Sequence, residues 1–324
     1  MKRNLMLTAV SALLLGPAFN AAASDCPGFL PPNDMKIPVD SVNARGIGEA
    51  QFNEVLDSIQ RLYAPEIASL GGTLKINRLW DDATVNASAQ QSGKTYILNM
   101  YGGLARHAAI TMDGFALVVC HERGHHLGGA PRTSWASIEG QADYYANLKC
   151  LRRVFSDSSA SAFTRVRGID PLAQKACDGA FKNADDRNIC LRATMAGKSV
   201  ASLFKALSNS TVDAAFDTPD ATVVTTMMTK HPPTQCRLDT YLQGSVCQQP
   251  VSAKLSNTNP VPGTCTRSGG FPGGYRPLCW YKPANAAELL PPGARTLDFD
   301  PEGVLPEIGP AFSTLHALNA APVR

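Results

Sequence analysis

The pattern of apolar positions in the first part of the chain predicts one helix followed by three strands. Between Gln51 and Leu62, apolar residues recur every three or four positions, which is the period of an amphipathic helix. The segment from Leu74 to Trp80 alternates between apolar and polar residues, and this period of two predicts a strand. Thr84 to Gln90 and Thr95 to Met100 predict two further strands, which are joined around Ser92-Gly93.

Helical patterns dominate the segments that follow. An apolar run from Phe115 to Cys120 predicts a buried helix, and Gly128-Gly129 followed by Pro131 is a strong signal for its end. Thr133-Ser134 can cap a second helix, and residues 156–222 are Ala- and Ser-rich and predicted to be mostly helical. The chain therefore predicts a mostly helical α+β fold with a small antiparallel sheet beside the first buried helix.

The first 23 residues have the pattern of a secretory signal peptide. They contain Lys2 and Arg3, an apolar run from Leu5 to Leu15, and small residues at Ala21 to Ala23. The apolar run is shorter than the ~20 residues that a membrane span needs. We therefore expect cleavage near Ala23 and export of the mature protein, either to a periplasm or out of the cell.

The mature chain divides by composition into a main domain and a C-terminal extension. Residues 26–48 contain Pro and Asn and predict an extended segment at the start of a main domain at residues 24–250. Residues 251–324 are rich in Pro, Gly, Ser and Asn and have little periodicity. No stretch after the signal peptide is long and apolar enough to cross a bilayer.

The charge balance argues against nucleic acid as a partner. The full chain has 30 basic and 27 acidic side chains, and removal of Lys2 and Arg3 leaves 28 basic against 27 acidic. The mature protein is therefore close to neutral, and its basic residues form no cluster that would bind phosphates.

Nine cysteines follow the signal peptide, and in an exported protein such cysteines favour disulfides. The pairs Cys236–Cys247 and Cys265–Cys279 are expected because each closes a short loop. One further bridge is expected among Cys150, Cys177 and Cys190, and the sequence leaves the choice open. Because nine is odd, at least one thiol is expected to be free or to pair with another chain.

The first buried helix carries an H-E-x-x-H pattern, formed by His121, Glu122 and His125. Residues four apart share one face of a helix, so both imidazoles can bind the same metal ion. The carboxylate of Glu122 lies about 100° around the helix, where it can reach a water molecule without binding the metal. These residue types at this spacing predict zinc-assisted hydrolysis, with one zinc ion per chain.

A catalytic zinc site needs a third protein ligand. The metzincin pattern requires a histidine where this chain has Pro131, and His126 lies about 100° away from the face of the two ligands. Glu139 on the next predicted helix is close enough to reach the metal. Asp143, four residues later, is suited to accept the other ring N–H of a ligand histidine. Without the upstream motif, these two acids would indicate only a solvated helix face.

The motif H-E-x-G-H followed by E-G-x-A-D is similar to the gluzincin zinc metallopeptidases. It most resembles the branch that includes the CAAX prenyl proteases, the bacterial HtpX heat-shock proteases and the mitochondrial Oma-type proteases. The stretch from Val85 to Leu104 resembles the Asn-Ala hairpin of that family, and His231-Pro232 with Arg237 resembles its downstream H-P-x-x-x-x-R motif. The resemblance covers residues 74–242. Unlike the membrane members, this chain lacks transmembrane helices and is rich in cysteine.

The resemblance implies roles for three further parts of the chain. His231 would donate to the oxyanion of a tetrahedral intermediate or line the pocket. Arg237 would anchor that loop through an acidic partner or contact substrate. In the family, an edge strand before the metal helix holds the substrate backbone, and Thr95 to Met100 is expected in that position. Taken alone, His231 would equally fit a packed histidine in a turn before two prolines.

These observations together predict a zinc endopeptidase that acts on polypeptides, with Glu122 as general base. One alternative is a catalytically silent zinc-binding chaperone or assembly factor built on a protease fold. Glu122 argues against it, because a protein without catalysis has no need of that carboxylate. A second alternative is a zinc enzyme that acts on something other than peptides, such as cell-wall material.

Overall fold

A computed structural model of the chain describes residues 24–25, 28–157, 168–208 and 210–285. The predicted signal peptide and much of the predicted C-terminal extension lie outside these ranges. The α+β class is confirmed, because the described residues form helices around one small sheet of four strands and a separate two-stranded hairpin.

The elements follow the order that the sequence pattern predicts, with differences at their ends. The helices are α1 (Glu49–Ser69), α2 (Gly102–Arg106), α3 (Met112–Leu127), α4 (Glu139–Tyr145), α5 (Leu151–Ser156), α6 (Pro171–Ala180), α7 (Ala184–Ser208) and α8 (Thr234–Val246). The strands are β1 (Ser24–Asp25), β2 (Thr73–Leu79), β3 (Ala87–Ser92), β4 (Thr95–Tyr101), β5 (Arg132–Thr133) and β6 (Ala136–Ser137). One turn of π-helix, Ala146–Cys150, connects α4 directly to α5.

The four-stranded sheet has the order β1-β3-β4-β2. Strands β3 and β4 pair antiparallel, but β2 pairs with β4 in parallel, from Thr73 opposite Thr95 to Leu79 opposite Tyr101. The expectation of a purely antiparallel sheet was therefore wrong. Alternation of apolar and polar residues identifies a strand and its buried face, but it does not identify which neighbour the strand pairs with.

The prediction that Thr95 to Met100 forms an edge strand was also wrong. This segment belongs to β4, which lies between β3 and β2 and has both of its edges paired. The edge nearest to the metal helix belongs to β3, which packs against α3. In the described part of the chain, β1 pairs with the outer side of β3 only at Gln90 and Gln91.

Helix α3 lies at the centre of the fold, in contact with β3, α1, α4 and α7. Thr111 caps its first turn by accepting a hydrogen bond from the backbone N–H of Gly114 at 3.0 Å. Every residue from Gly114 to His126 is buried, so this helix is apolar on all sides until it reaches the two histidines. The motif is thereby held on a rigid element inside the core.

The second motif helix begins later than the sequence predicted. Thr133 and Ser134 do not cap a helix, because Thr133 pairs with Ala136 in the β5–β6 hairpin and Ser134 lies in its turn with a φ of 40°. Helix α4 instead begins at Glu139. This places Glu139 in the first turn, next to the end of α3.

Four disulfides are present among the described residues, and both pairings predicted from short loops were wrong. The bridges are Cys120–Cys150, Cys177–Cys190, Cys236–Cys279 and Cys247–Cys265. Helix α8 separates Cys236 from Cys247 by a helical rise of about 16 Å, which no single disulfide can span. Cys177–Cys190 is one of the options that the sequence left open. The ninth cysteine, Cys26, lies outside the described residues.

The first compact unit of the chain extends to Lys282. Two of the disulfides connect α8 and the residue after it to Cys265 and Cys279, so the segment after residue 250 packs on that helix. The second unit begins at Pro283, and only its first three residues belong to the described ranges. Within those ranges, no helix combines the length and the apolar character that a membrane crossing requires.

Candidate metal centre

Two histidines of α3 turn their ring nitrogens toward the same point. His121 and His125 are one helical turn apart and are 0% and 1% exposed. Their Nε2 atoms lie 3.1 Å from each other. Two imidazoles in van der Waals contact inside a protein can share one cation between them, which is the arrangement expected from the H-E-x-x-H spacing.

Glu139 joins this pair from the first turn of α4. Its carboxylate oxygens lie 3.3 Å from Nε2 of His121 and 3.8 Å from Nε2 of His125. The two helices approach closely at Gly124, where an added Cβ would meet the backbone of Ala142 at 2.9 Å. A glycine in the middle of the motif therefore lets α4 bring its carboxylate to the histidines.

The outer ring nitrogens of both histidines are fixed by hydrogen bonds. Nδ1 of His121 lies 2.7 Å from Oδ1 of Asp143, and Nδ1 of His125 lies 2.8 Å from the backbone oxygen of Ser137. Each partner is an acceptor, so each ring donates from Nδ1 and directs its Nε2 toward the other histidine and Glu139. Metal-binding histidines are oriented in this way in proteins.

Asp143 is the centre of a buried polar network behind His121. Arg237 donates to both of its carboxylate oxygens, from Nε and Nη2 at 2.8 Å each, and Tyr241 donates its hydroxyl at 2.9 Å. Burial would raise the pKa of Asp143, but the charges of Arg237 and His121 outweigh it and lower the pKa to about 2. The carboxylate is thus ionised while it holds the histidine.

Glu122 is a buried acid with no hydrogen-bond partner. The side chain is fully buried, and neither carboxylate oxygen has a donor within reach among the described residues. Burial raises the pKa of Glu122 to about 8, against the lowering effect of the nearby His121. A carboxyl group in this condition can change its protonation state close to neutral pH, which is the property that a general base needs.

His231 reaches the same centre from the segment before α8. Its Nε2 lies 3.4 Å from Oε2 of Glu139 and 2.8 Å from the backbone oxygen of Gly28. Arg237 was expected either to pair with an acid or to contact substrate, and it forms an ion pair with Asp143. Its Nη1 also donates to the backbone oxygen of Phe29 at 3.1 Å. All seven residues predicted for the site are therefore brought together around the two histidines.

The chemistry of these donors fits a metal ion. Ligand atoms of His121, His125 and Glu139 lie within 4.8 Å of one another, and all three side chains are buried. Burial raises the pKa of Glu139, but His125 and His121 outweigh it and lower the pKa to about 2. Among the described residues, Oε2 of Glu139 has no hydrogen-bond partner, and a bound cation would satisfy this buried carboxylate oxygen. A second group, Asp220 with Cys236 and Cys279, is excluded because its cysteines form a disulfide.

Sequence reasoning missed two residues that support the site. Ser137 acts through its backbone oxygen, which no side-chain pattern could identify. Tyr241 had a signal, because it lies four residues after Arg237 and so shares a helix face with it. His126 was expected to lie off the face of the two ligands, and in agreement its Nε2 bonds the backbone oxygen of Gln90 on β3 at 2.9 Å.

Comparisons with protein-family models, with curated proteins and with solved structures found no match to this chain. The function is therefore inferred from the geometry of the site. Two imidazole nitrogens and a carboxylate are placed to bind a cation. Beside them, Glu122 is placed to accept a proton, and no described residue donates a hydrogen bond to it.

Proposed function

We propose that the protein is an exported zinc endopeptidase with a gluzincin-type site on a zincin-like domain. The observation that carries this proposal is the carboxylate of Glu122. It is buried beside the group of two histidines and one glutamate, and none of the described residues gives it a hydrogen bond. An acid left unpaired in the core destabilises the fold, so its retention needs a chemical reason. The four disulfides support export, because such bonds persist in oxidising compartments.

Zinc is the ion that best suits the three ligands. His121, His125 and Glu139 supply two nitrogens and one oxygen, the donor set of a catalytic zinc site with one position left open. When bound there, Zn²⁺ supplies Lewis-acid activation of water and of the substrate carbonyl. Each histidine offers Nε2 because its Nδ1 proton is engaged by Asp143 or by Ser137.

Glu122 moves the proton. A carboxylate oxygen of Glu122 takes a proton from the attacking water as the water oxygen forms its bond to the carbonyl carbon. The same proton then passes to the amide nitrogen as the C–N bond breaks, and the second proton of the water follows it to the released amine, so the products are a carboxylate and an ammonium group. A pKa near 8 in the metal-free protein indicates how weakly the pocket solvates the charged acid.

His231 and Arg237 act on the substrate backbone and on the ligand shell. Nε2 of His231 is directed at a backbone carbonyl oxygen close to the metal ligands, so it can donate to the oxygen that becomes negative in the transition state. Arg237 is a positioning residue, since it fixes Asp143, which in turn fixes His121.

A polypeptide is the substrate that the surroundings of the site favour. The outer edge of β3 lies beside α3 and offers backbone groups to which an extended peptide can pair. A silent zinc-binding factor needs the ligands but not Glu122, and activity against other substrates needs no strand edge. These two alternatives are therefore less well supported than a peptidase.

Removal of the metal is expected to abolish peptide cleavage. Purified protein would be treated with phenanthroline, dialysed, and assayed on a fluorogenic peptide library, and Zn²⁺ would then be added back. We expect loss of cleavage in the metal-free protein and recovery with Zn²⁺ but not with Ca²⁺, which prefers oxygen ligands. Cleavage that persists in protein shown to be metal-free would contradict the proposal.

A further inference from the structure

The chain's own N-terminal segment follows the outer edge of β3 beside the candidate metal centre. Ser24 pairs with Gln91 and Asp25 with Gln90, both antiparallel. Beyond two residues outside the described part, Phe29 donates its backbone N–H to the backbone oxygen of Ala87 at 2.9 Å. The segment thus runs along β3 in one direction, as a peptide does when it adds a strand to a sheet edge.

The backbone of this segment is held by the side chains of the site. The carbonyl oxygen of Gly28 lies 2.8 Å from Nε2 of His231, which itself lies 3.4 Å from Glu139. The next carbonyl oxygen, that of Phe29, accepts from Arg237 at 3.1 Å. Two successive carbonyl groups are therefore bound by His231, which is proposed to stabilise the oxyanion, and by Arg237, which positions Asp143.

The following residue is held by the hairpin that precedes the metal helix. Asn86 accepts from the backbone N–H of Leu30 at 3.0 Å and donates to the backbone oxygen of Leu30 at 3.2 Å. One amide side chain thus pairs with both polar groups of a single residue, as an adjacent strand would. Together with the bonds to Gly28 and Phe29, this fixes the three-residue backbone from Gly28 to Leu30.

The side chain of Phe29 is buried at the border of the main hydrophobic core, in a pocket next to a metal ligand. Its ring centroid lies 4.9 Å from that of His121 and 5.4 Å from that of Phe204, and the guanidinium of Arg237 stacks over it at 4.7 Å. The side chain is 0% exposed. A pocket of this kind accepts a large apolar residue immediately after the carbonyl that His231 holds.

We propose that Ser24–Asp25 and Gly28–Leu30 act as an internal pseudo-substrate that occupies the edge of β3 beside the metal centre and competes with peptide substrates there. This inference rests on the proposed function. It also defines the substrate class as extended peptides that carry a small residue followed by two apolar residues, with Phe or Leu favoured in the pocket now filled by Phe29. Substrate binds when the segment is withdrawn from the edge of β3.

Gly28 is the position at which the docked segment is most vulnerable. Its φ is +100°, a backbone conformation that residues with a side chain rarely adopt. An added Cβ would also meet the side chain of Asn86 at 3.1 Å. Gly28→Ala is therefore expected to weaken docking of the segment while it leaves every group of the site in place. Gly270→Ala is the matched control, because Gly270 has a φ of +75° with no neighbour within 4 Å of an added Cβ.

The test measures binding of a fluorescent hydroxamate with Phe-Leu after its metal-binding group to zinc-loaded, full-length protein. We expect the Gly28→Ala variant to bind this probe about tenfold more tightly than wild type, because alanine at this φ strains the docked segment and weakens its competition with the probe. The Gly270→Ala variant is expected to match wild type. A probe with Ala-Ala instead of Phe-Leu should bind Gly28→Ala about tenfold more weakly, since it buries less apolar surface.

A second measurement uses the wild-type protein alone, so the test does not depend on the variant's folding. Saturating hydroxamate is expected to increase hydrogen exchange at the backbone amides of Phe29 and Leu30. These amides donate to Ala87 and Asn86 in the docked segment, and displacement of the segment breaks both hydrogen bonds. If the wild type, Gly28→Ala and Gly270→Ala proteins all bind zinc, bind the probe equally well and show no change in exchange, the pseudo-substrate proposal is wrong while the proposed function stands. Protein that binds no zinc would overturn the proposed function together with it.

Discussion

Replacement of Glu122 by Gln is expected to lower kcat/KM for peptide cleavage by about 10²- to 10⁴-fold, while the protein keeps its metal. Gln has nearly the same shape, but its amide cannot accept the proton of the attacking water. Neither oxygen of Glu122 has a hydrogen-bond partner in the part of the chain that the structure describes, so we expect the substitution to leave the fold intact. The measurement compares kcat/KM and zinc content between wild type and Glu122→Gln. The same comparison is then repeated with Gly28→Ala added to each of the two proteins.

The control for this experiment is Glu54→Gln, which makes the same chemical change at an exposed position of α1. It is expected to retain full activity and full zinc content. If Glu122→Gln cleaved peptides as fast as wild type, Glu122 would not be the general base. Metal lost together with activity would instead give Glu122 a structural role.

Asp143→Asn is expected to weaken zinc binding by about 10- to 100-fold and to lower the free energy of unfolding by about 3–5 kcal/mol. Asp143 accepts from His121, from Arg237 twice and from Tyr241, and it is fully buried. An amide in its place turns an N–H₂ group toward these donors and leaves the guanidinium as an uncompensated buried charge. Competition with a zinc chelator and denaturant unfolding measure the two effects.

Asp113→Asn is the matched control for that change. Asp113 also makes a two-point pair with Arg192, at 3.1 and 2.8 Å, but it lies in the first turn of α3 and touches no metal ligand. The control is expected to lower stability by a smaller amount, since the pair is partly exposed, and to leave zinc affinity unchanged. Equal zinc affinity in Asp143→Asn and wild type would show that Asp143 does not orient His121.

The residues of the candidate site could be predicted because local geometry determines their relation. Positions four apart on one helix share a face, so His121 and His125 could be paired from spacing alone, and the same rule pairs Glu139 with Asp143. The glycine and proline residues after His126 indicated that the chain turns back there. The resemblance to a peptidase family added His231 and Arg237, which spacing could not connect to the motif.

The partners of strands and cysteines could not be predicted, because they depend on packing between distant segments. Strand β2 precedes β3 in the chain, yet β4 separates them in the sheet, and no periodicity encodes that order. Cys236 and Cys247 are close in sequence but lie at opposite ends of α8, so their bridges run to Cys279 and Cys265.

The position of the N-terminal segment was also beyond the sequence pattern. Residues 26–48 predicted only an extended stretch, and that description holds for any chain that could pair with a strand edge. The bonds of Gly28 and Phe29 to His231 and Arg237 span more than two hundred positions and became visible only in the fold. The same contacts support the proposal that the substrate is an extended peptide.

The zinc content of the purified, oxidised protein, measured beside Glu139→Ala and Glu54→Ala, tests the central claim most directly. Glu139 is 3% exposed at the ligand group, whereas Glu54 is an exposed glutamate of α1. We predict one zinc per chain in wild type and in Glu54→Ala, and clearly weakened binding in Glu139→Ala, because a ligand is lost. Wild-type protein that takes up no zinc after reconstitution at neutral pH would contradict the account.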